Sequence, residues 1–330
     1  MRKKQIMLAA VGAVLAMSLA GCSGNPSAAA GTTAAADAGT TTAQTANAQT
    51  TAAETTAAEE PETAGEAADQ EASGAEEVIR VNGGEEIPLS SLEHRTDSAD
   101  ASTVYFTSDI TPEALTRIYE ALGWTPTGNV AVKISTGEPP ASNYLRPELI
   151  GDLVQQVNGT IVECNTAYGG SRAETAMHYQ VAEDHGLTEI AEVSSEGKCW
   201  IHTGGVSRTS FNGGEQDHFL EAMGDAGKAV SDYLGNGERI TYISVMNRIS
   251  IDCDCDGNPA EPDIHDIGIM ASNDPVALDQ ASIDLVSQAE GSESLMNRIA
   301  DRNGIHTLEN AEAIGLGSRT YQMVNLNSGL

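Results

Sequence analysis

Thr103-Val104-Tyr105-Phe106-Thr107, closely followed by Thr111-Pro112-Glu113, is the stretch that sets the fold. The first run is β-branched and aromatic, which suits a strand packed on at least one face. Thr111 can cap a helix, Pro112 fits a first turn whose N–H groups lack partners, and Glu113 opposes the positive end of the helix dipole. The helix is expected to run to Leu122 and stop at Gly123. The same strand and helix pattern recurs twice. Val130 to Ile134 reads as a second strand, and Arg146-Pro147-Glu148 opens a helix with Leu149, Ile150, Leu153, Val154 and Val157 at helical spacing. Thr160 to Cys164 reads as a third strand, followed by a helix from Arg172 to His185 that ends at Gly186. Strands alternating with helices predict an α/β fold with a doubly wound, mostly parallel sheet and flanking helices. Further on, the pattern gives a helix from Gln216 to Leu234, a long strand from Ile240 to Ile251 and a short strand from Ile267 to Met270. A helix from Asp274-Pro275 to Gln288, two short helices and a last strand, Tyr321 to Val324, complete it. There is no internal repeat, P-loop or dinucleotide fingerprint.

Towards the N-terminus the chain changes character. Arg2, Lys3 and Lys4 precede an uncharged apolar run from Ile6 to Ala20, shorter than the roughly 20 residues that cross a bilayer comfortably. This is the layout of an export signal. It ends in Leu19-Ala20-Gly21-Cys22, which resembles the lipobox of bacterial lipoproteins. The resemblance implies cleavage before Cys22, diacylglycerol on its sulfur and a further acyl chain, such as palmitate, on its amine. Two or more chains anchor firmly, at about 0.8 kcal/mol per buried methylene. Residues 22–77 are almost wholly Ala, Thr, Gly, Ser, Gln and Glu, too polar and too small to bury a core, and read as a disordered acidic tether. The expected organisation is a signal at 1–21, the tether at 22–77 and an α/β body at 78–330, held by lipid at the extracytoplasmic face of a bacterial cell membrane.

The chain carries 48 acidic against 17 basic residues, a net charge of −31, which argues against nucleic acid as a partner and favours solubility at a surface. In an open parallel sheet, ligands bind at the carboxyl ends of the strands, because loops converge there. Ser135 to Pro140, Cys164 to Arg172 and Asp252 to Asp266 follow strands and should face one another. Lys133, Glu138, Cys164, Asn165 and Arg172 are thus candidate ligand-binding residues. Lys133, late in its strand, needs a charge partner, and Glu138 is the candidate. Cys253, Cys255, Asp256 and His265 are candidate metal ligands, since thiolate with imidazole suits a divalent ion such as zinc. Their spacing matches no standard zinc framework, and joint ligation by both cysteines needs a turn between them. The alternative is a solvated acidic loop with two incidental cysteines. His178, one helical turn from Glu174, reads as part of a solvated face, and His185 as the partner of a helix C-terminus. Cys199 and His202 lack a third group for nucleophilic catalysis.

Val132-Lys133 with Thr136-Gly137-Glu138, Glu163 to Arg172, Asp252 to Cys255 and Ala271-Ser272-Asn273-Asp274-Pro275-Val276-Ala277-Leu278-Asp279 resemble the DUF362 family, often labelled "uncharacterized Fe-S center protein". The resemblance runs over residues 100 to 325 and implies no established activity. Many members carry a ferredoxin-type cysteine cluster that this chain lacks. Similar members also have a histidine- and glycine-rich stretch where Val193 here runs directly into Ser194, as if a segment were deleted. The signal has no twin arginine, so an iron–sulfur cluster built in the cytoplasm is not expected to travel with the chain. The function expected is a metal or small-ligand site on a tethered body. The alternatives are a non-catalytic solute- or metal-binding lipoprotein and an inactive, internally deleted remnant.

Overall fold

A computed structural model describes residues 5–7, 77–166, 169–198 and 215–327. Cys22 and nearly all of the expected signal and tether lie outside the described residues. The strands are β1 (Gln5–Met7), β2 (Val78–Arg80), β3 (Glu86–Pro88), β4 (Ser102–Thr107), β5 (Val130–Lys133), β6 (Gly159–Asn165), β7 (Val193–Lys198), β8 (Tyr242–Met246), β9 (Gly268–Ser272) and β10 (Tyr321–Asn325). The helices are α1 (Pro112–Ala121), α2 (Pro147–Gln156), α3 (Thr175–Asp184), α4 (Leu187–Ile190), α5 (Gln216–Tyr233), α6 (Pro275–Gln288), α7 (Glu293–Asp301) and α8 (His306–Ala313). No helix among the described residues is long and apolar enough to cross a membrane.

The first two strand and helix units form where their sequences predict them. Thr111 Oγ1 accepts from Ala114 N at 3.1 Å and Pro112 sits in the first turn of α1. Asp274 caps α6 in the same way, accepting from Val276 N and Ala277 N. In α2, Leu149, Ile150, Leu153 and Val154 form the buried face.

The single doubly wound sheet is not what forms. The fold is mixed α/β, with an all-parallel sheet in the order β1, β5, β6, β7, a second sheet in the order β10, β4, β9, β8, and the β2–β3 hairpin. In the second sheet β10 and β4 are parallel, whereas β9 runs antiparallel to both β4 and β8. The physical reason lies in the connections. Parallel neighbours need a crossover of a dozen or more residues, usually helical. Among residues 247–267, which join β8 to β9, there is no helix, and the chain simply reverses. The expected long strand from Ile240 to Ile251 accordingly stops at Met246. Gly268 opens β9 at φ +153°, where a Cβ would lie 2.3 Å from Thr107 O of the adjoining β4.

β8 and β9 are buried along their whole length, which in sequence looks like a parallel strand. Here it means that the second sheet has a core on each face. Tyr242, Met246 and Met270 join Leu278, Leu285, Leu295 and Leu308 on one side. Ile243, Val245, Ile269 and Ala271 join Leu115, Val132, Ile150 and Ile161 on the other. At the rim of the first core, Asp284 of α6 accepts from His94 N at 3.0 Å and from Tyr321 Oη at 3.0 Å, fastening the segment before β4 and the last strand to one helix. β1, which pairs in parallel with Val130, Ala131 and Val132, belongs to the stretch read as an export signal.

Candidate functional site

At the carboxyl edge of the parallel sheet, the loops after β5 and β6 meet the acidic loop that follows β8 of the second sheet. The loop after β5 and the acidic loop after β8 are joined by Glu138 N donating to Asp254 O at 2.9 Å and Ala141 N donating to Gly257 O at 3.0 Å. Gly257 makes this approach feasible, since a Cβ there would lie 2.2 Å from Pro139 O. The third loop folds under the first. Residues 169–174 form turns rather than the first turn of a helix, and α3 begins at Thr175, not at the expected Arg172. Arg172 is therefore free of helix geometry and its side chain turns inward, where it is 1 % exposed.

Three carboxylates from three loops and strands meet that guanidinium. Arg172 Nε lies 3.3 Å from Glu138 Oε2, and Nη1 lies 3.3 Å from Glu163 Oε1 and 3.7 Å from Asp254 Oδ2. Ser135 Oγ accepts from Arg172 Nη1 at 2.9 Å and donates to Asp254 Oδ2. The second oxygen of Glu163 accepts from Thr136 N at 2.8 Å and lies 3.1 Å from His178 Nε2. Burial opposes ionisation of Glu163, but His178, Lys133, Arg172 and Thr136 outweigh it and hold the carboxyl well below the usual range. Glu163 is thus a buried carboxylate with its charge compensated within the chain.

The predicted ligand-binding residues are largely brought together, with different pairings. Glu138 pairs with Arg172 rather than Lys133. Lys133 Nζ donates to Ile134 O at 2.8 Å, and its charge acts on Glu163. Asn165 Nδ2 donates to Thr175 Oγ1 at 2.7 Å while Asn165 Oδ1 lies 3.1 Å from His178 Nδ1. Cys164, between Glu163 and Asn165 on the strand, is half-buried.

The predicted metal ligands do not gather. The chain turns between the cysteines, with Asp256 N donating to Cys253 O at 2.9 Å. Cys253 is buried, with Sγ 3.4 Å from Asp254 Oδ1 and accepting from Cys255 N at 3.3 Å. Asp256 is exposed and accepts from Asn258 N. His265 turns to the N-terminal hairpin, its Nε2 3.1 Å from Glu85 Oε2. Among the described residues no group of three or more His, Cys, Asp or Glu side chains could hold a metal ion. Cys199 and His202 lie outside the described residues.

His178 overturns its reading as a solvated residue. It has no exposed surface, and its ring bridges Thr136 and Glu163 on one nitrogen and Asn165 and Ser195 on the other. A signal was present, since His178 stands three and four residues before Val181 and Ala182, on the buried face of α3. Ser135, Glu163, Ser195 and Asp254, which were not among the expected ligand-binding residues, also join this cluster. His185 caps α3 as expected, but it also stacks on Tyr144 at 3.9 Å between ring centroids and meets Thr136 O at 2.7 Å. Burial, with Arg146 nearby, pushes its pKa down.

Comparison with known proteins places a family match on part of this architecture. No curated protein and no solved structure matches the chain. The family match begins just before β7 and ends within α6, a narrower span than the resemblance read from the sequence. It contributes Ser195, Cys253 and Asp254 to the cluster, while Glu138, Glu163, Arg172 and His178 come from outside it. Residues 192–284 of this chain match the family model DUF362, a domain of unknown function.

Proposed function

We propose that this is an exported protein, held by lipid on Cys22 at the outer face of a bacterial cell membrane, whose body binds a small polar ligand at the carboxyl edge of the parallel sheet. The observation that carries the ligand reading is the convergence of Glu138, Glu163 and Asp254 on the buried Arg172 at that edge. Bulk stability alone does not favour such a cluster, because desolvating ion pairs costs as much as or more than an apolar core of the same volume. Strand-end loops are also where open parallel sheets meet their ligands. Glu138, the least buried of the three carboxylates, stands at the rim and is the first group a ligand meets. The acidic tether and body keep the protein soluble at the surface and disfavour nucleic acid. On this reading its partners are the membrane, through the lipid, and a small molecule.

A melting panel of amino acids, sugars, carboxylic esters and divalent salts including zinc tests the ligand reading. One class at about 100 times its dissociation constant should stabilise the native protein by about 2.7 kcal/mol, raising its melting temperature by about 5 °C or more. If no class shifts the transition, the ligand reading fails.

A further inference from the structure

The cluster contains a second arrangement that the guanidinium contacts do not use. Ser195 Oγ lies 2.6 Å from His178 Nδ1, and the other ring nitrogen, Nε2, lies 3.1 Å from Glu163 Oε2. An ionised carboxylate can only accept, so Nε2 carries a proton and donates it to Glu163. With Nδ1 unprotonated, its lone pair faces the Ser195 hydroxyl, whose other acceptor is Asn165 Oδ1 at 3.3 Å. Three groups from three elements, β6, α3 and β7, are thus ordered as carboxylate, imidazole and hydroxyl.

The surroundings suit proton movement along this line. When Nδ1 takes a proton, Asn165 Oδ1, at 3.1 Å, can accept from it. Asn165 is itself oriented by donation to Thr175 Oγ1. The imidazolium would then be held by Glu163 on one side and by an amide oxygen on the other. The ring nitrogens serve in the opposite order to the familiar serine triad, where the carboxylate holds Nδ1, but the division of roles is the same. Among the described residues β7 is the outer strand of its sheet, and Ser195 lies in it. Ser195 N donates to Tyr179 Oη at 3.2 Å, which fixes the backbone at the hydroxyl. Ser195 has no exposed surface, so the hydroxyl is shielded from bulk water.

We propose that Ser195, His178 and Glu163 act as nucleophile, general base and orienting carboxylate in acyl transfer, with carboxylic esters as the substrate class. This rests on the reading of the edge as a ligand site and names the chemistry of the ligand. Ser195 Oγ bonds to the acyl carbon while its proton passes to His178 Nδ1. The ester C–O bond breaks, and the leaving alkoxide takes that proton. Water then attacks the acyl-serine with His178 as base, releasing the acid and restoring the hydroxyl.

The test is labelling of the purified full-length protein in detergent with a fluorophosphonate, followed by peptide mass mapping. In that reaction Ser195 Oγ bonds to phosphorus and fluoride leaves. One phosphonate is expected on Ser195, none at that position in Ser195→Ala, and labelling at least about 100-fold slower in His178→Gln, the usual scale of a lost general base. A serine that only holds the fold together would not react. No adduct on Ser195 of the folded native protein overturns the proposal, as does equal labelling of folded His178→Gln. If His178→Gln does not fold, the native protein and Ser195→Ala decide the question alone. The ligand reading is judged separately by the melting panel, so a protein that binds a ligand but resists the probe refutes only the acyl-transfer step.

Discussion

Replacing Arg172 by methionine removes the one cation that three carboxylates share, and the size and pH dependence of the loss follow from the geometry. Methionine fills much of the same volume, so the change is chiefly electrostatic. Glu163 and Asp254 are both nearly buried, and Glu138 is only slightly more open. Stripping the partner from buried charges costs about 3–5 kcal/mol, and Arg172→Met is expected to lose about that much at pH 7 in equilibrium urea unfolding. The sign with pH is determined by Glu163. Its folded pKa is depressed, so its stabilising contribution is present above the unfolded value of about 4.3 and disappears as pH falls through the folded value. In the native protein that contribution survives mild acidification. In Arg172→Met the depression is weaker, the crowded carboxylates protonate sooner, and their repulsion is relieved. The deficit of the variant should therefore hold from pH 7 down to the unfolded carboxylate value of about 4.3 and shrink only below it. A loss below about 1 kcal/mol at pH 7, where even an exposed pair contributes up to that amount, would refute the reasoning. A deficit that widens on acidification would do the same.

Cys22→Ser should move the protein from the membrane and detergent phases to the aqueous phase, and radiolabelled palmitate should enter the native protein alone. Equal partition of the two would reject the lipid anchor. Gly257→Ala places a Cβ 2.2 Å from Pro139 O, so the two loops it joins must separate, at a cost of about 1–3 kcal/mol. The variant should also lose any ligand-induced rise in melting temperature, and an unchanged melting curve would count against the close approach of the loops.

The local signals in the sequence were sound, and the long-range ones were not. β4 with α1, β5 with α2 and β6 with α3 could be read because caps, prolines and apolar spacing act over a few residues. The direction of β9 could not be read in the same way. An unbroken buried run shows that both faces are covered, and nothing in it says which way the neighbouring strand points. Glu138, Asn165 and Arg172 were expected near one another because their loops follow strands, and the structure does place them together, although the acidic loop comes from the second sheet. Their partners were not legible, because Lys133 and Glu138 looked like neighbours in sequence while the turns at 169–174 had already brought Arg172 to Glu138. His178 was misjudged by weighing its charge neighbour Glu174 above its apolar neighbours Val181 and Ala182. His265 shows the reverse error, since nearness in sequence to two cysteines did not outweigh a hairpin nearly two hundred residues away that offered Glu85.

The guanidinium of Arg172 has a consequence for how such a protein can be made. A pocket of three carboxylates normally waits for a counter-ion to be delivered before its walls can close. Here the counter-ion is encoded in the chain, three residues ahead of α3, and arrives with the polypeptide itself. On the export proposed above, in which the chain would cross a membrane unfolded, the shared counter-ion of this edge needs no supplier.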